Sequence, residues 1–226
     1  MADMTDTARS ILVIGGHGHV ARHLADQLKD GPDHVVSVIR NPDQRDDIVA
    51  VGAEPLVADV TTLSDSELDD LVAGHDAVVW SAGAGGKGGP ETTYAVDRDA
   101  CIRVVNAVSR ASSRPRFVLV SWVGSPDHGV DPDNSFHAYA DAKAASDRHT
   151  MESDTDWTIL GPTTLSHEPA GGITVIDEDT DWTSGVPETS RATVASVIAG
   201  CLDEPGTVGR FIRFHDGPTP VAEALA

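Results

Sequence analysis

Several things are scarce in this chain, and each scarcity removes a class of function. No apolar run in its 226 residues is long enough to span a bilayer and no charged-then-apolar leader opens it, so a soluble cytoplasmic protein without membrane contact is expected. The two cysteines, Cys101 and Cys201, lie far apart in segments of helical pattern and suit reduced core thiols better than a disulfide framework. Positive charge is the largest shortage: Lys and Arg number 16 against 36 Asp and Glu, a formal net charge of −20. A chain so acidic offers no broad basic surface for nucleic acid or anionic membrane. What remains as a partner is a small molecule, bound by a monomer or homodimer. An anionic ligand must be held against this field by local positive groups, so the few basic residues gain weight.

What is present begins with Ser10-Ile-Leu-Val-Ile-Gly-Gly-His-Gly-His-Val-Ala, an apolar strand running into glycines and then into an amphipathic helix. This is the pattern of a dinucleotide-binding turn. Gly15 permits the tight turn off the strand, Gly18 lets backbone N–H groups approach a pyrophosphate, and Ala21 is small enough for close helix–strand packing. The spacing is G-x-x-G-x-x-A rather than G-x-G-x-x-G, so its context decides the reading.

That context is an alternation of strand and helix patterns along the whole chain. Strands are expected at Ile11–Ile14, Val35–Ile39, Leu56–Ala58, Ala77–Ser81, Phe117–Ser121 and Thr158–Leu160. Between them lie helices with apolar faces: Val20 to Leu28, a segment capped by Ser66, a long helix from Glu91 to Ala111, and another from Phe136 to Glu152. The pattern implies an α/β fold, a Rossmann-like doubly wound parallel sheet flanked by helices. Beyond Pro162 only a strand Ile173–Ile176, a helix Arg191–Leu202, a strand Arg210–Phe214 and Pro220–Leu225 are expected, a minimal C-terminal extension on the substrate side. A single domain over 1–226 follows, with residues 1–9 expected to lack fixed structure.

In such sheets ligands bind beyond the carboxyl ends of the strands, so the loops there should carry the chemistry. After the second strand stands Arg40, where an NAD site more often shows an acid; a guanidinium there can pair a 2′-phosphate, which favours NADP over NAD. Asp59-Val60 follows the third strand, with a carboxylate able to accept from an adenine amino group. After the fourth, Ser81-Ala82-Gly83 opens a glycine-rich loop running to Gly89. Tyr139 and Lys143 stand at i and i+4 on one helical face, where an ammonium beside a phenol lowers its pKa. His17, His19 and His23 do not amount to a metal set, and no metal is expected. The acidic stretch Asp177-Glu-Asp-Thr-Asp is read as a solvated turn. His128 and His137 are read as solvated loop histidines, with lining of a substrate pocket as the alternative.

Taken together, Ile-Gly-Gly-His-Gly-His-Val-Ala, Arg40-Asn-Pro, Asp59, Ser81-Ala-Gly, Val96-Asp97, Phe117-Val-Leu-Val-Ser, Tyr139-x-x-x-Lys143, Asp156-Trp-Thr-Ile-Leu-Gly-Pro and Ser190-Arg-Ala-Thr-Val-Ala resemble the short-chain dehydrogenase/reductase superfamily. The resemblance is to its atypical NAD(P)H-binding branch, with NmrA-like and biliverdin/flavin reductase-like members, and covers nearly everything from Ser10 onward. It implies that Gly15, Gly16, His17, Gly18, His19, Val20, Arg40, Asp59, Val60, Ala82 and Gly83 hold the nucleotide. It implies further that Tyr139 acts as general acid, that Lys143 supports it and holds the nicotinamide ribose, and that Pro162 lies near the nicotinamide. Either Ser121 or Ser125 substitutes for the family's serine, or neither does; Ser121 is the candidate carried at the catalytic and cofactor positions alike.

Two positions depart from the family pattern. Trp122-Val123-Gly124 follows Ser121, so the usual further hydroxyl positions are apolar, and Gly161 stands where an arginine is common. The expected activity is that of an NADP(H)-dependent oxidoreductase acting on a small carbonyl, quinone or flavin-like acceptor. A non-catalytic NADP(H)-binding redox sensor and an NAD-dependent epimerase/dehydratase-like enzyme are the alternatives.

Overall fold

Four consecutive apolar residues, Ile11 to Ile14, fill the first strand, and the two-residue period of a strand sends them alternately to two different cores. A sheet buried on both faces follows, and the computed structural model, which describes residues 8–177, 181–182 and 185–226, has that architecture. Its first half runs β1 (Ser10–Ile14), α1 (His19–Leu28), β2 (His34–Ile39), α2 (Arg45–Ala50), β3 (Glu54–Val57), α3 (Asp65–Val72) and β4 (Ala77–Trp80). Then come α4 (Gly89–Thr93), a π-helical segment (Tyr94–Ala100), α5 (Cys101–Arg110), β5 (Arg116–Val120), α6 (His137–Glu152) and β6 (Asp156–Pro162). The rest is β7 (Leu165–Ser166), β8 (Gly172–Val175), β9 (Thr189–Ser190), α7 (Arg191–Asp203), β10 (Arg210–Gly217) and α8 (Val221–Leu225).

Ile11 and Val13 pack with Leu24 and Ala25 of α1 and with Val194 and Ile198 of α7. Leu12 and Ile14 pack on the other face with Leu68 and Val72 of α3 and Val104 and Val108 of α5. The main sheet has the order β3-β2-β1-β4-β5-β6-β10-β8, and β7 and β9 form a separate parallel pair. Strand order reverses between β1 and β4, and a ligand crevice opens at the carboxyl ends of strands at such a point.

The sheet departs from an all-parallel one at β8, which runs antiparallel to β10. It is a four-residue edge strand, and an edge is where an otherwise parallel sheet most readily accepts a reversed partner. Helix α3 is capped by Ser64, not Ser66: the Ser64 side chain accepts from Glu67 N–H while Glu67 Oε2 accepts from Ser64 N–H at 2.7 Å. A capping box needs its serine three residues before the acid, and Ser66 falls inside the helix. The expected helix from Glu91 to Ala111 starts at Gly89, ends at Arg110 and widens to π form over Tyr94–Ala100, a feature common at functional sites.

Of the N-terminal residues expected to lack fixed structure, 1–7 lie outside the described set, and Arg9 is tied down by Asp33 at 2.6 Å and Asp203 at 2.8 Å. Residues 178–180 of the acidic stretch also lie outside it. Cys101 and Cys201 are free, fully buried thiols, pushed up by burial to about 12 and about 11, so neither is a nucleophile at neutral pH. Among the described residues no helix is long and apolar enough to cross a membrane.

Candidate functional site

The pairing of β1, β4, β5 and β6 brings their carboxyl ends side by side: Ile14 lies beside Trp80, Trp80 beside Leu119, and Val120 beside Leu160. Gly15, Ala82, Ser121 and Pro162 therefore emerge along one edge of the sheet. Gly15 and Ala82 also depend on each other. Gly15 has φ +87°, and a Cβ there would lie 2.6 Å from the Ala82 backbone, so only glycine lets the two loops close on each other. A Cβ on Gly16 would meet Ser37 Cβ at 2.6 Å.

Helix α1 starts after Gly18 with no capping side chain and no acidic residue in its first turn, in contrast to the capped α3. The free amides of a helix's first turn, with the positive end of its dipole, make a ready phosphate site. Val20 is buried beneath this turn. His17 Nε2 is 2.8 Å from Asp47, and His19 packs edge-on against His167 with ring centres 4.9 Å apart. Burial and the surrounding Arg22, His167, Arg191 and His23 hold the His19 imidazole below its ordinary value.

Arg9, Arg98, Arg103, Arg110, Arg114 and Arg148 are all ion-paired to aspartates. Arg40 at the end of β2 and Arg45 at the start of α2 are exposed and have no such partner among the described residues. Arg40 follows the strand that pairs with β1, whose end leads into the glycine turn, and its exposed guanidinium is available to an anion. Asp59 Oδ1 accepts from the Thr61 amide at 3.0 Å and from its hydroxyl at 2.6 Å, which leaves Oδ2 for a ligand, and Val60 is buried behind it.

The proton-handling half of the site is a row on α6. Tyr139, Lys143 and Asp147 follow one another at intervals of four, so they share one helical face. Lys143 is 2% exposed, and its Nζ donates to the Val120 carbonyl at 2.7 Å. Asp147 is wholly buried and accepts the Ser121 hydroxyl. From the π segment comes Asp97, 1% exposed, whose Oδ2 accepts the Ala84 amide at 2.9 Å. Its Oδ1 stands 2.9 Å from where a Cβ on Gly83 would be, so glycine there lets the loop after β4 close over the carboxylate.

The electrostatics correct one expectation. Burial raises Tyr139 above the ordinary phenol range, Asp97 and Asp147 raise it further, and Lys143 opposes them without prevailing. The lysine's charge is shared among three acidic groups instead of being devoted to the phenol. Burial pulls Lys143 down, but Tyr139, Asp97 and Asp147 together outweigh it and the ammonium is raised. Burial likewise raises both carboxyls against the pull of Lys143. Tyr139 thus keeps its proton at neutral pH and is a donor, not a phenolate.

Asp147 was missed by sequence reasoning, although its interval of four from Lys143 was a usable signal. Asp97 stood in the Val96-Asp97 motif without a role. His128 and His137 pack against each other at 5.7 Å and do not line the cavity beside Tyr139.

Two cavities share Tyr139 and Phe136 as a wall. The larger, about 630 Å³, is bounded by Ser121, Trp122, Pro162 and Trp182, and the smaller, about 360 Å³, by Gly85, Gly86, Pro90 and Asp97. Pro162 is buried at the end of β6.

This fold and edge define a dinucleotide-binding protein of the Rossmann type. The NAD(P)H-binding family matches the chain over residues 15–205, and the chain belongs to it. It is similar to the uncharacterized sugar epimerase YhfK of Bacillus subtilis, 30% identical over 216 residues, which cover 95% of this chain and 98% of that one. It is 35% identical over 221 residues to the UPF0659 protein YMR090W of Saccharomyces cerevisiae, covering 95% of this chain and 96% of the relative.

Among solved structures, a Bacillus halodurans protein provisionally named an NAD-dependent epimerase/dehydratase superposes with a TM-score of 0.85 at 30% identity, covering 96% of this chain and 99% of that one. ChuY of Escherichia coli O157:H7, an anaerobilin reductase, shares the fold with a TM-score of 0.75 at 18% identity, over 92% and 97% of the two chains. These neighbours are consistent with the atypical short-chain dehydrogenase/reductase branch. A nicotinamide cofactor and an oxidoreductase- or epimerase-like family follow from the match.

Proposed function

We propose that the chain is an NADP(H)-dependent oxidoreductase that reduces a small carbonyl, quinone or flavin-like acceptor. The observation that carries this reading is Tyr139 in the wall of a ligand-sized cavity, one helical turn from a buried Lys143 whose Nζ donates to the Val120 carbonyl at 2.7 Å. The residues present fit the cofactor: the uncapped first turn of α1 has free amides for a pyrophosphate, and Arg40 is an unpaired guanidinium for a 2′-phosphate. When bound, the reduced nicotinamide supplies a hydride equivalent.

Tyr139 Oη holds a proton and gives it to the acceptor oxygen, so that hydride and proton together convert a carbonyl to an alcohol. The Lys143 ammonium offsets the charge left on the phenol oxygen. Ser121 spends its only proton on Asp147 and faces a ligand as an acceptor alone. That commitment also favours a second reading, a redox sensor that binds NADP(H) without turnover. Turnover of any acceptor by the wild type excludes it.

Cofactor choice tests the Arg40 assignment. A charge-assisted pair is worth about 1.5–3 kcal/mol, so Arg40→Ala is expected to weaken NADPH binding roughly 10- to 100-fold by calorimetry and to leave NADH unchanged. Equal affinity of the wild type for the two cofactors overturns the NADP reading.

A further inference from the structure

The larger cavity gathers what the rest of the chain lacks. Aromatic residues are only 4% of the sequence, yet Trp122, Phe136, Tyr139 and Trp182 all bound this one space. Their planes stand across one another: Trp122 is set at 81° to Phe136 and 84° to Trp182, with ring centres 5.1 Å and 5.4 Å apart, and Phe136 is tilted at 46° to Tyr139 at 5.0 Å. Gly124 makes room for the corner, because a Cβ there would meet Trp122 at 2.4 Å and Trp182 at 2.6 Å. Rings at near right angles bound a box, which suits a compact, rounded group better than a flat one.

An aromatic ring carries a negative face, and several rings around one space together attract a cation such as an ammonium or quaternary ammonium. The charged groups agree. Among the described residues that bound the cavity there is no Lys or Arg, and Glu188 adds a carboxylate. Two cations adjoin the wall, and both are spent. Lys143 donates to the Val120 carbonyl and lies among Asp97 and Asp147, and Arg213 donates to the Val123 and Ser125 carbonyls at 3.0 Å and 2.9 Å. The chain's net charge of −20 adds a field that draws cations in.

The hydroxyls fit the same ligand. Ser121 donates to Asp147 and Thr163 to the Pro187 carbonyl at 2.7 Å, so each offers a ligand an acceptor. Acceptors and a carboxylate receive the N–H groups of an ammonium, while Tyr139 and Thr164 have protons for a carbonyl or hydroxyl elsewhere on the ligand. At about 630 Å³ the space exceeds such a head group and holds a body attached to it.

We infer that this cavity recognises its ligand through a positively charged head, an alkylammonium or quaternary ammonium group held among Trp122, Phe136 and Trp182 with Glu188 in the same wall. An acceptor reduced there would carry such a head. That consequence rests on the oxidoreductase reading, whereas the binding claim stands on the cavity alone.

Probes of one shape and different charge test it. Choline, neohexyl alcohol, in which carbon replaces the choline nitrogen, and the anion tert-butylacetate are titrated by calorimetry into the free protein and into protein saturated with NADPH. Choline is expected to bind roughly tenfold or more tightly than neohexyl alcohol, and tert-butylacetate more weakly than either. Trp122→Leu is expected to weaken choline roughly tenfold and Trp122→Phe by less than about threefold, since a phenyl face keeps the attraction. Glu188→Gln should weaken choline about three- to tenfold and leave neohexyl alcohol unchanged. Retained NADPH affinity shows that each variant folds.

No detectable choline binding, neohexyl alcohol binding as tightly as choline, or Trp122→Leu leaving choline affinity unchanged overturns the inference. Choline binding that NADPH abolishes overturns it too, because the aromatic box would then belong to the cofactor. If NADPH fails to saturate the protein, the cofactor reading fails instead, and the titrations of the free protein still decide the cavity claim.

Discussion

Tyr139→Phe is expected to lower the rate of acceptor reduction roughly 100- to 10,000-fold, the range associated with losing a positioned general acid. Only one oxygen is removed, and the ring that separates the two cavities is kept, so NADPH affinity should change less than about threefold. The loss should appear in kcat and in kcat/KM together, as befits an interaction made in the transition state. Lys143→Met should cost a similar amount and also weaken cofactor binding, because the lysine is expected to hold the nicotinamide ribose.

The pH profile carries a further sign. A general acid must be protonated, and Tyr139 is raised above the ordinary phenol range, so the rate should stay flat through neutral pH and fall only at alkaline pH as the phenol ionises. Steady-state kinetics with a quinone acceptor across pH reads both effects. A Tyr139→Phe rate within about threefold of wild type contradicts the assignment.

The second large effect belongs to Gly15. An alanine there meets two separate costs: a left-handed backbone at φ +87°, and a Cβ driven to 2.6 Å from the Ala82 backbone, which cannot give way as a flexible side chain would. The first costs about 1–2 kcal/mol and the second about 1–3 kcal/mol. Against a typical stability of about 5–15 kcal/mol, a loss of about 2–5 kcal/mol is severe. Forcing apart the loops after β1 and β4 should also abolish detectable NADPH binding.

Gly74 supplies the control, because it has φ +79° but nothing within 4 Å of an added Cβ. Gly74→Ala therefore reports the backbone cost alone. Urea unfolding of the two variants gives the clash as their difference. Equal losses for both would show that the contact between Gly15 and Ala82 does not constrain the turn.

Much of this fold was legible because it is written in local periodicity. The apolar run Ile11–Ile14 ending at Gly15 announces a buried strand and a turn, and the face Val20-Ala21-Leu24-Ala25 announces the helix that covers it. What was not legible depends on encounters between distant segments. The reversal of β8 is decided by pairing with β10 and leaves no mark in the pattern of Ile173–Ile176. The Tyr139 pKa is a balance among burial, Lys143, Asp97 and Asp147, so the interval of four between Tyr139 and Lys143 suggested a lowering that the complete environment reverses. Asp147 was overlooked because a lone acid on a helix in an acidic chain looks like solvated surface until the serine at the end of β5 is brought to it. The Trp122 cavity was hidden for the same reason, its walls coming from four separate segments of the chain.

The central claim is that this protein transfers hydride from NADPH to an acceptor, with Tyr139 supplying the proton. The most direct measurement is a single-turnover reaction in which NADPH carrying deuterium on the transferable C4 position is mixed anaerobically with the protein and a soluble quinone, and the loss of nicotinamide absorbance is compared with that of unlabelled NADPH. The account predicts oxidation with a primary isotope effect in wild type and almost none in Tyr139→Phe. Tight NADPH binding with no oxidation by any quinone or flavin acceptor would contradict it and leave the redox sensor as the reading to pursue.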